Sequence, residues 1–172
     1  YDYLILINSL IRSNFFFRPH YPKRRINSIY FDDAAYSSIR QNIDGQSEKK
    51  KTRVRWYGLE NRLIDPMLEI KSKKGAETKK IISPIEELNN LKFPDLKNLE
   101  IIKDIVNLKT KSKNIIYPIL TTNYDREYFI SNNDKIRATV DFNLNSVHLK
   151  NSSQIDIIKN FPLTCILEIK YP

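Results

Sequence analysis

Residues 49–82 read KKKTRVRWYGLENRLIDPMLEIKSKKGAETKKII. Three short runs in this stretch alternate charged and apolar residues with a period of two, the pattern of strands with two unlike faces. Lys51, Arg53 and Arg55 fall on one face of the first run, with Val54 and Trp56 on the other. In the second run Glu69 and Lys71 share a face opposite Leu68 and Ile70. Asp65-Pro66 opens that run, since proline is tolerated at the first position of a strand. A turn around Gly75 leads to a third run that ends in Lys79, Lys80 and two isoleucines. A row of cations on neighbouring antiparallel strands makes a surface that attracts an anion.

The rest of the chain sets the bounds on that reading. Its 172 residues predict one domain, 1–172, large enough to bury a core. With 41% hydrophobic and 28% charged residues, ten Tyr and eight Phe, the composition is that of a folded protein. The formal net charge of +9 favours a polyanionic partner: nucleic acid, anionic lipid, nucleotide or polyphosphate. The bland alternative is a Lys-rich chain whose charges are simply solvated. Cys165 stands alone, so there is no disulfide framework and no cysteine-based metal site, and its LTCIL setting predicts a small core residue. No apolar run approaches the ~20 residues of a membrane span, and no secretory signal is visible, so the expected location is the cytoplasm. The three glycines, Gly45, Gly58 and Gly75, build neither a G-x-G-x-x-G turn nor a P-loop. A phosphate must therefore be held by side chains.

Taken in order, Tyr1 to Phe17 carries a helical stripe of Leu4, Ile7, Leu10, Ile11 and Phe15, ended by Pro19 and Pro22. Arg25 to Asp33 reads as a strand with Ile26, Ser28 and Tyr30 on one face. Asp32 or Asp33 then caps a short helix carrying Tyr36, Ile39 and Ile43, metal binding being the alternative role for the two aspartates. Ser83-Pro84-Ile85-Glu86 has the residues of a capping box and predicts a helix start. Pro94 breaks that helix, and a second follows with Leu96, Leu99, Ile102 and Val106 on one face. Ile115 to Ile130 and Lys135 to Leu144 predict a hairpin across Ser131–Asp134. Tyr124, Arg126 and Tyr128 share a face of its first strand, and Arg137, Thr139 and Asp141 a face of its second. A polar loop is expected over Asn145–Gln154, then a last strand, Leu163 to Tyr171, with Glu168 and Lys170 on one face. Helices that separate two strand-rich halves predict an α+β fold.

The charged strand positions are then Arg53, Arg55, Glu69, Lys71, Lys80, Arg126, Arg137, Glu168 and Lys170. On any single strand such residues mark only a solvated face. Repeated over five or six strands, they would form a cationic tunnel if the sheet closed with charges inside. Arginine suits that task because its planar fork binds two phosphate oxygens and stays charged. The two glutamates make sense if a divalent cation sits between them and phosphate, because Mg²⁺ and Mn²⁺ prefer carboxylate and phosphate oxygens.

RINSIYFDD, NIDG, KTRVRWYG, LEIK, NYDREYF, IRATVDFNL and LEIKY follow one another over roughly residues 18–171. In that order they resemble the VTC domain family, itself similar to the triphosphate tunnel metalloenzymes and the CYTH-like superfamily. The resemblance implies an antiparallel eight-stranded β tunnel barrel with flanking helices. It also implies a polyphosphate polymerase that moves the terminal phosphate of ATP onto an inorganic polyphosphate chain, dependent on Mn²⁺ or Mg²⁺. By motif, Arg53 and Arg55 look like the paired phosphate-binding arginines of R-x-R-W and Lys71 like the lysine of E-x-K. Arg126 and Arg137 look like the arginines of Y-D-R and I-R-x-T. Glu168 looks like the metal ligand of the last L-E-x-K, with Lys170 a further tunnel cation. Lys80 matches another tunnel lysine, with Lys79 as the alternative. Glu69 is either a second metal ligand or the partner of a tunnel cation. An early E-x-K strand and a late S-K-Y segment of the family have no counterpart here, so the chain is expected to be a fragment lacking the first and last tunnel segments. The rival readings are a triphosphatase of the same fold and a non-catalytic polyphosphate-binding accessory domain. A nucleic-acid partner is not expected.

Overall fold

The computed structural model describes residues 3–59, 61–150, 154–158 and 165–172. The elements are α1 (Tyr3–Ile11), β1 (Arg18–Asp33), α2 (Ser37–Ile43), β2 (Glu48–Tyr57), β3 (Met67–Lys74) and β4 (Glu77–Pro84). A 3₁₀ turn (Glu86–Leu88), α3 (Leu96–Thr110), β5 (Ile116–Ile130), β6 (Arg137–Lys150), β7 (Gln154–Ile158) and β8 (Ile166–Lys170) complete the set. Strands run in the order β4-β3-β2-β1-β5-β6-β7, and β8 pairs with β6. With antiparallel pairing and helices outside the strand-rich halves, the fold is α+β, as the sequence predicts. Residue contacts gather into two compact units. One comprises Tyr1–Ile26, Thr122–Ser146 and Ile158–Pro172; the other comprises Asn27–Thr121 and Val147–Ile157.

The larger unit is built on the opening stretch. Gly75 has a φ of 58° and is the first residue of a two-residue loop joining β3 to β4, with Lys74 opposite Glu77. A glycine adopts that left-handed backbone without steric cost, which fixes the register of the hairpin. Val54, Trp56 and Leu68 then fall on one face and pack against Leu99, Ile102 and Val106 of α3. Trp56 meets Phe93 edge-on, ring centres 5.4 Å apart. Helix α3 starts where Asp95 accepts hydrogen bonds from the amides of Lys97 and Asn98, satisfying donors that have no partner within the helix. Ile102 is fully buried beneath the sheet. Ile102→Ala should therefore cost about 2–5 kcal/mol, while Leu108→Ala, on the exposed side of the same helix, should change stability by no more than about 0.5 kcal/mol. Urea midpoints measure both.

Both aspartates at the end of β1 cap α2. Asp33 Oδ1 accepts from the amides of Ala35 and Ser37, and Asp32 accepts from those of Ser38 and Ile39. These bonds, that from Ser37 foremost, hold the Asp33 carboxyl below its ordinary value. Tyr36, Ile39 and Ile43 are exposed.

The smaller unit buries Phe129, Ala138 and Val140 against Leu10 of α1, with Tyr3, Leu6, Ile7 and a partly buried Cys165 around them. The packed stripe of α1 is thus Tyr3, Leu6, Ile7 and Leu10, whereas Leu4, Ile11 and Phe15 are exposed. The Tyr3 hydroxyl is pushed upward in pKa by burial and by Glu127 beside it.

Three boundaries and one packed position differ from expectation. β1 begins at Arg18 rather than Arg25. Residues 18–24 are mostly exposed and lack the apolar alternation by which a strand is recognised, and both prolines are accommodated within it. Ser83 and Pro84 belong to β4, paired with Leu68 and Met67. Strand pairing overrides the capping box there, and only one 3₁₀ turn follows, as the buried Ile85 and Leu88 turn into the core. β6 continues to Lys150 through the expected polar loop. Its asparagines pair across the strands instead of apolar side chains: Asn143 donates to Asp125, and Asn145 to Asn123. Leu96, expected on the packed face of α3, is 42% exposed at the first helical position. The start of the last expected strand, residues 163–164, and residues 151–153 of the expected loop lie outside the described residues.

Candidate functional site

The face of β2, β3 and β4 turned away from the apolar cluster collects cations by register alone. Lys51 lies opposite Lys71, Arg53 opposite Glu69, and Lys71 opposite Lys80. Side chains of paired residues share a face, so Lys49, Lys51, Arg53, Arg55, Lys71, Lys73 and Lys80 stand together. Lys79 lies on the other face, opposite Ser72. The alternation in the sequence therefore places Lys80, not Lys79, with the arginines. Glu69 is the one acid on that face among the described residues.

Glu69 is buried, and three cations converge on it. Arg53 Nη2 lies 2.6 Å and Nε 2.8 Å from its Oε2. Arg55 Nη1 lies 3.5 Å from Oε1 and Lys80 Nζ 3.5 Å from Oε2. Burial alone would raise the Glu69 carboxyl; the hydrogen bonds and charge of Arg53, with Arg55 and Lys80, outweigh it and hold it below the ordinary 4.5. Arg53 loses from burial as well, but Tyr30 and Glu69 raise it overall, so it stays charged. Its Nη1 donates to the Tyr30 hydroxyl at 3.1 Å. Arg55 is 9% exposed, and its Nε has no hydrogen-bond partner among the described residues. A buried donor without a partner is costly, and an anionic oxygen would satisfy it.

This geometry fixes a pH dependence. A native carboxyl pKa below that of the unfolded chain means that the unfolded chain takes up the proton first. The stability contributed by Glu69 is thus present above pH 4.5 and is lost as pH falls through the lower native value. Urea midpoints should drop between neutral and strongly acidic pH, and Glu69→Gln should flatten that drop.

In the smaller unit β5, β6 and β8 present a second charged face. Arg126 holds Asp141 through two bonds, Nε to Oδ1 at 2.6 Å and Nη2 to Oδ2 at 2.7 Å. Its guanidinium lies 5.4 Å from the centre of the Tyr124 ring. Burial works against the charge, but Asp141, Tyr124 and Tyr128 raise the Arg126 pKa well above its ordinary value. On β8, Glu168 lies opposite Thr139, and Lys170 opposite Arg137. Arg126, Arg137, Glu168 and Lys170 therefore belong to one unit, and Arg53, Arg55, Glu69, Lys71 and Lys80 to the other. Tyr30 and Asp141 are the residues that sequence reasoning passed over. Both lie on the charged faces by alternation, but nothing in a sequence names the guanidinium each would meet.

The donors bear on a divalent cation as follows. Among the described residues no three His, Cys, Asp or Glu side chains cluster as a metal cage. The oxygens of Glu69 face three cations, and those of Asp141 face Arg126. Glu168 is half-exposed, with Lys170 at 3.4 Å, and the buried hydroxyl of Thr139 across from it has no hydrogen-bond partner among the described residues. A half-exposed carboxylate paired with one exposed lysine fits Mg²⁺ or Mn²⁺ of the kind that takes most of its oxygens from phosphate and water. Glu168 fits such an ion, and Glu69 fits a counter-ion.

No helix among the described residues is long and apolar enough to cross a membrane. No curated protein matches the chain. The model of one family, described as the VTC domain, matches residues 10–172, and the chain belongs to that family, which is associated with polyphosphate metabolism.

Proposed function

We propose that this domain is a polyphosphate polymerase: it binds the triphosphate of ATP along its cationic strand faces and passes the terminal phosphate to inorganic polyphosphate. The observation that carries the reading is the pair of a half-buried Arg53 and a buried Arg55 on a face of seven cations, the Arg55 Nε having no hydrogen-bond partner among the described residues. The eight-stranded antiparallel tunnel barrel implied by the family is the completed fold we propose for such a sheet.

Phosphoryl transfer asks little covalent work of a protein. The bond from the terminal phosphorus to the bridging oxygen of ATP breaks, the oxygen at the end of a polyphosphate attacks in line, and ADP leaves. Positioning and charge neutralisation supply the rate. Arg53, Arg55, Lys71 and Lys80 hold phosphate oxygens on one face. Arg126, Arg137 and Lys170 do the same on the other. Desolvated guanidinium groups keep their charge, so they stabilise the transferred group without a proton equilibrium at neutral pH. A Mn²⁺ or Mg²⁺ ion held by Glu168 would supply further neutralisation of phosphate oxygens.

The test uses the full protein containing this domain with ATP and Mn²⁺ or Mg²⁺, its products resolved by gel and phosphorus NMR. A ladder of phosphate chains with ADP release is the expected result. Orthophosphate alone would make the protein a triphosphatase. Binding of polyphosphate with no turnover would make it an accessory domain.

A further inference from the structure

We propose that Asp141 is a positioning residue that aims the guanidinium of Arg126, by the same device with which Glu69 aims Arg53; the inference rests on the phosphate-binding reading above. The two arginines sit in different units, yet each has a carboxylate on the same edge and a tyrosine beside it, although Glu69 takes both bonds on Oε2 and Asp141 takes one on each oxygen. Each lies on a strand whose neighbour supplies a carboxylate: Glu69 of β3 for Arg53 of β2, Asp141 of β6 for Arg126 of β5. Each carboxylate takes the Nε and Nη2 edge, at 2.8 and 2.6 Å for Arg53 and at 2.6 and 2.7 Å for Arg126. Each guanidinium also lies near a tyrosine ring, Tyr30 at 5.8 Å and Tyr124 at 5.4 Å. Both side-chain pairs are largely withdrawn from water.

A guanidinium has five N–H groups in a fixed fork. A carboxylate on the Nε–Nη2 edge uses two of them and fixes the plane of the group. The end-on edge of Arg126, Nη1 with the outer hydrogen of Nη2, is then presented in a set direction and can take two phosphate oxygens, whereas Nη1 of Arg53 also donates to the Tyr30 hydroxyl. The carboxylate also removes one unit of charge. An arginine so held recognises phosphate by direction and binds it less tightly than a bare one. A protein that must slide or release a polymer of many identical charges needs both properties.

A merely structural pair would also bridge β5 and β6, so the test must separate aim from stability. In the full protein, Asp141→Asn keeps the shape and loses the charge, and Asp141→Glu keeps the charge. Three readouts apply: kcat and KM for ATP, the Kd of tripolyphosphate by calorimetry, and the urea midpoint. Asp141→Asn is expected to lower kcat by about 100-fold, the scale of a small misplacement of a reacting group. Tripolyphosphate should bind as tightly as before or more tightly, and Asp141→Glu should recover part of kcat. In an Arg126→Lys background, Asp141→Asn should add no further loss of kcat, since lysine has no fork to aim. A folded Asp141→Asn variant with kcat and Kd unchanged overturns the proposal. So does a weaker Kd with kcat unchanged, or loss of the folded state in both Asp141→Asn and Arg126→Lys, which makes the pair structural. If the wild-type protein shows no turnover, the activity reading fails separately. Tripolyphosphate affinity then decides: tighter binding by Asp141→Asn supports the clamp, and unchanged or weaker binding overturns it.

Discussion

Arg53→Ala should lower turnover by about 1,000-fold, the range for removing a guanidinium that stabilises a transferring phosphoryl group, and leave the protein folded. The local geometry explains why the fold survives. Without Arg53, Glu69 still faces Arg55 Nη1 and Lys80 Nζ, each at 3.5 Å, so no buried charge is orphaned, the event that makes broken ion pairs expensive. Tyr30 loses a donor but sits at the edge of the cluster, half-buried. The expected loss of stability is about 1–2 kcal/mol, the scale of a hydrogen bond to a charged group. Circular dichroism and a urea titration beside the product assay separate the two effects. Turnover within a few-fold of wild type in a folded variant would remove Arg53 from the site. Arg137→Ala is the matching change on the other face, and turnover should again be lost with the fold intact.

Glu168→Gln should have the second large effect, of a different kind. Glu168 is about half exposed, and Lys170 beside it is more so. Ion pairs at that exposure contribute roughly 0–1 kcal/mol, so the fold should not notice the change. If Glu168 holds the divalent cation, turnover at fixed metal should drop by about 100-fold, the upper end of the loss seen for partners outside a metal's ligand shell. Affinity for polyphosphate should stay within a few-fold, because the arginines and lysines proposed to bind it are untouched. A metal titration read through turnover would show an apparent constant shifted well upward. An unshifted titration would place the metal elsewhere.

Alternation carried much of this site into view. The sequence places Arg53 and Arg55 on one face and Val54 and Trp56 on the other because a strand turns its side chains every second residue. The hairpin at Gly75 then decides which lysine of the Lys79-Lys80 pair joins them, a matter of one residue in register. What could not be read was pairwise. That Asp141 would fill the fork of Arg126 depends on how β5 and β6 align at 15 residues' separation. That Glu69 would face three cations depends on β2, β3 and β4 at once. The error at Ser83-Pro84 has the same root. Four residues held the local signs of a helix, but pairing with Met67 and Leu68 and the burial of Ile85 outweighed them. The polar end of β6 escaped notice because backbone ladders and asparagine pairs need no apolar side chains.

The β3–β4 hairpin bears on how the protein behaves at high concentration. Among the described residues β4 ends the strand order, so one of its rows of amides and carbonyls invites a neighbour from another molecule. Ile81 and Ile82 on it are about half exposed. Lysines at 73, 74, 79 and 80 stand around them, and mutual repulsion keeps two such edges apart. Of these, Lys73 and Lys80 stand on the face that a polyanion would neutralise, and Lys74 and Lys79 on the other. Saturating ligand thus halves the colloidal protection as the site is filled, and the bound form is the more prone to stack edge to edge.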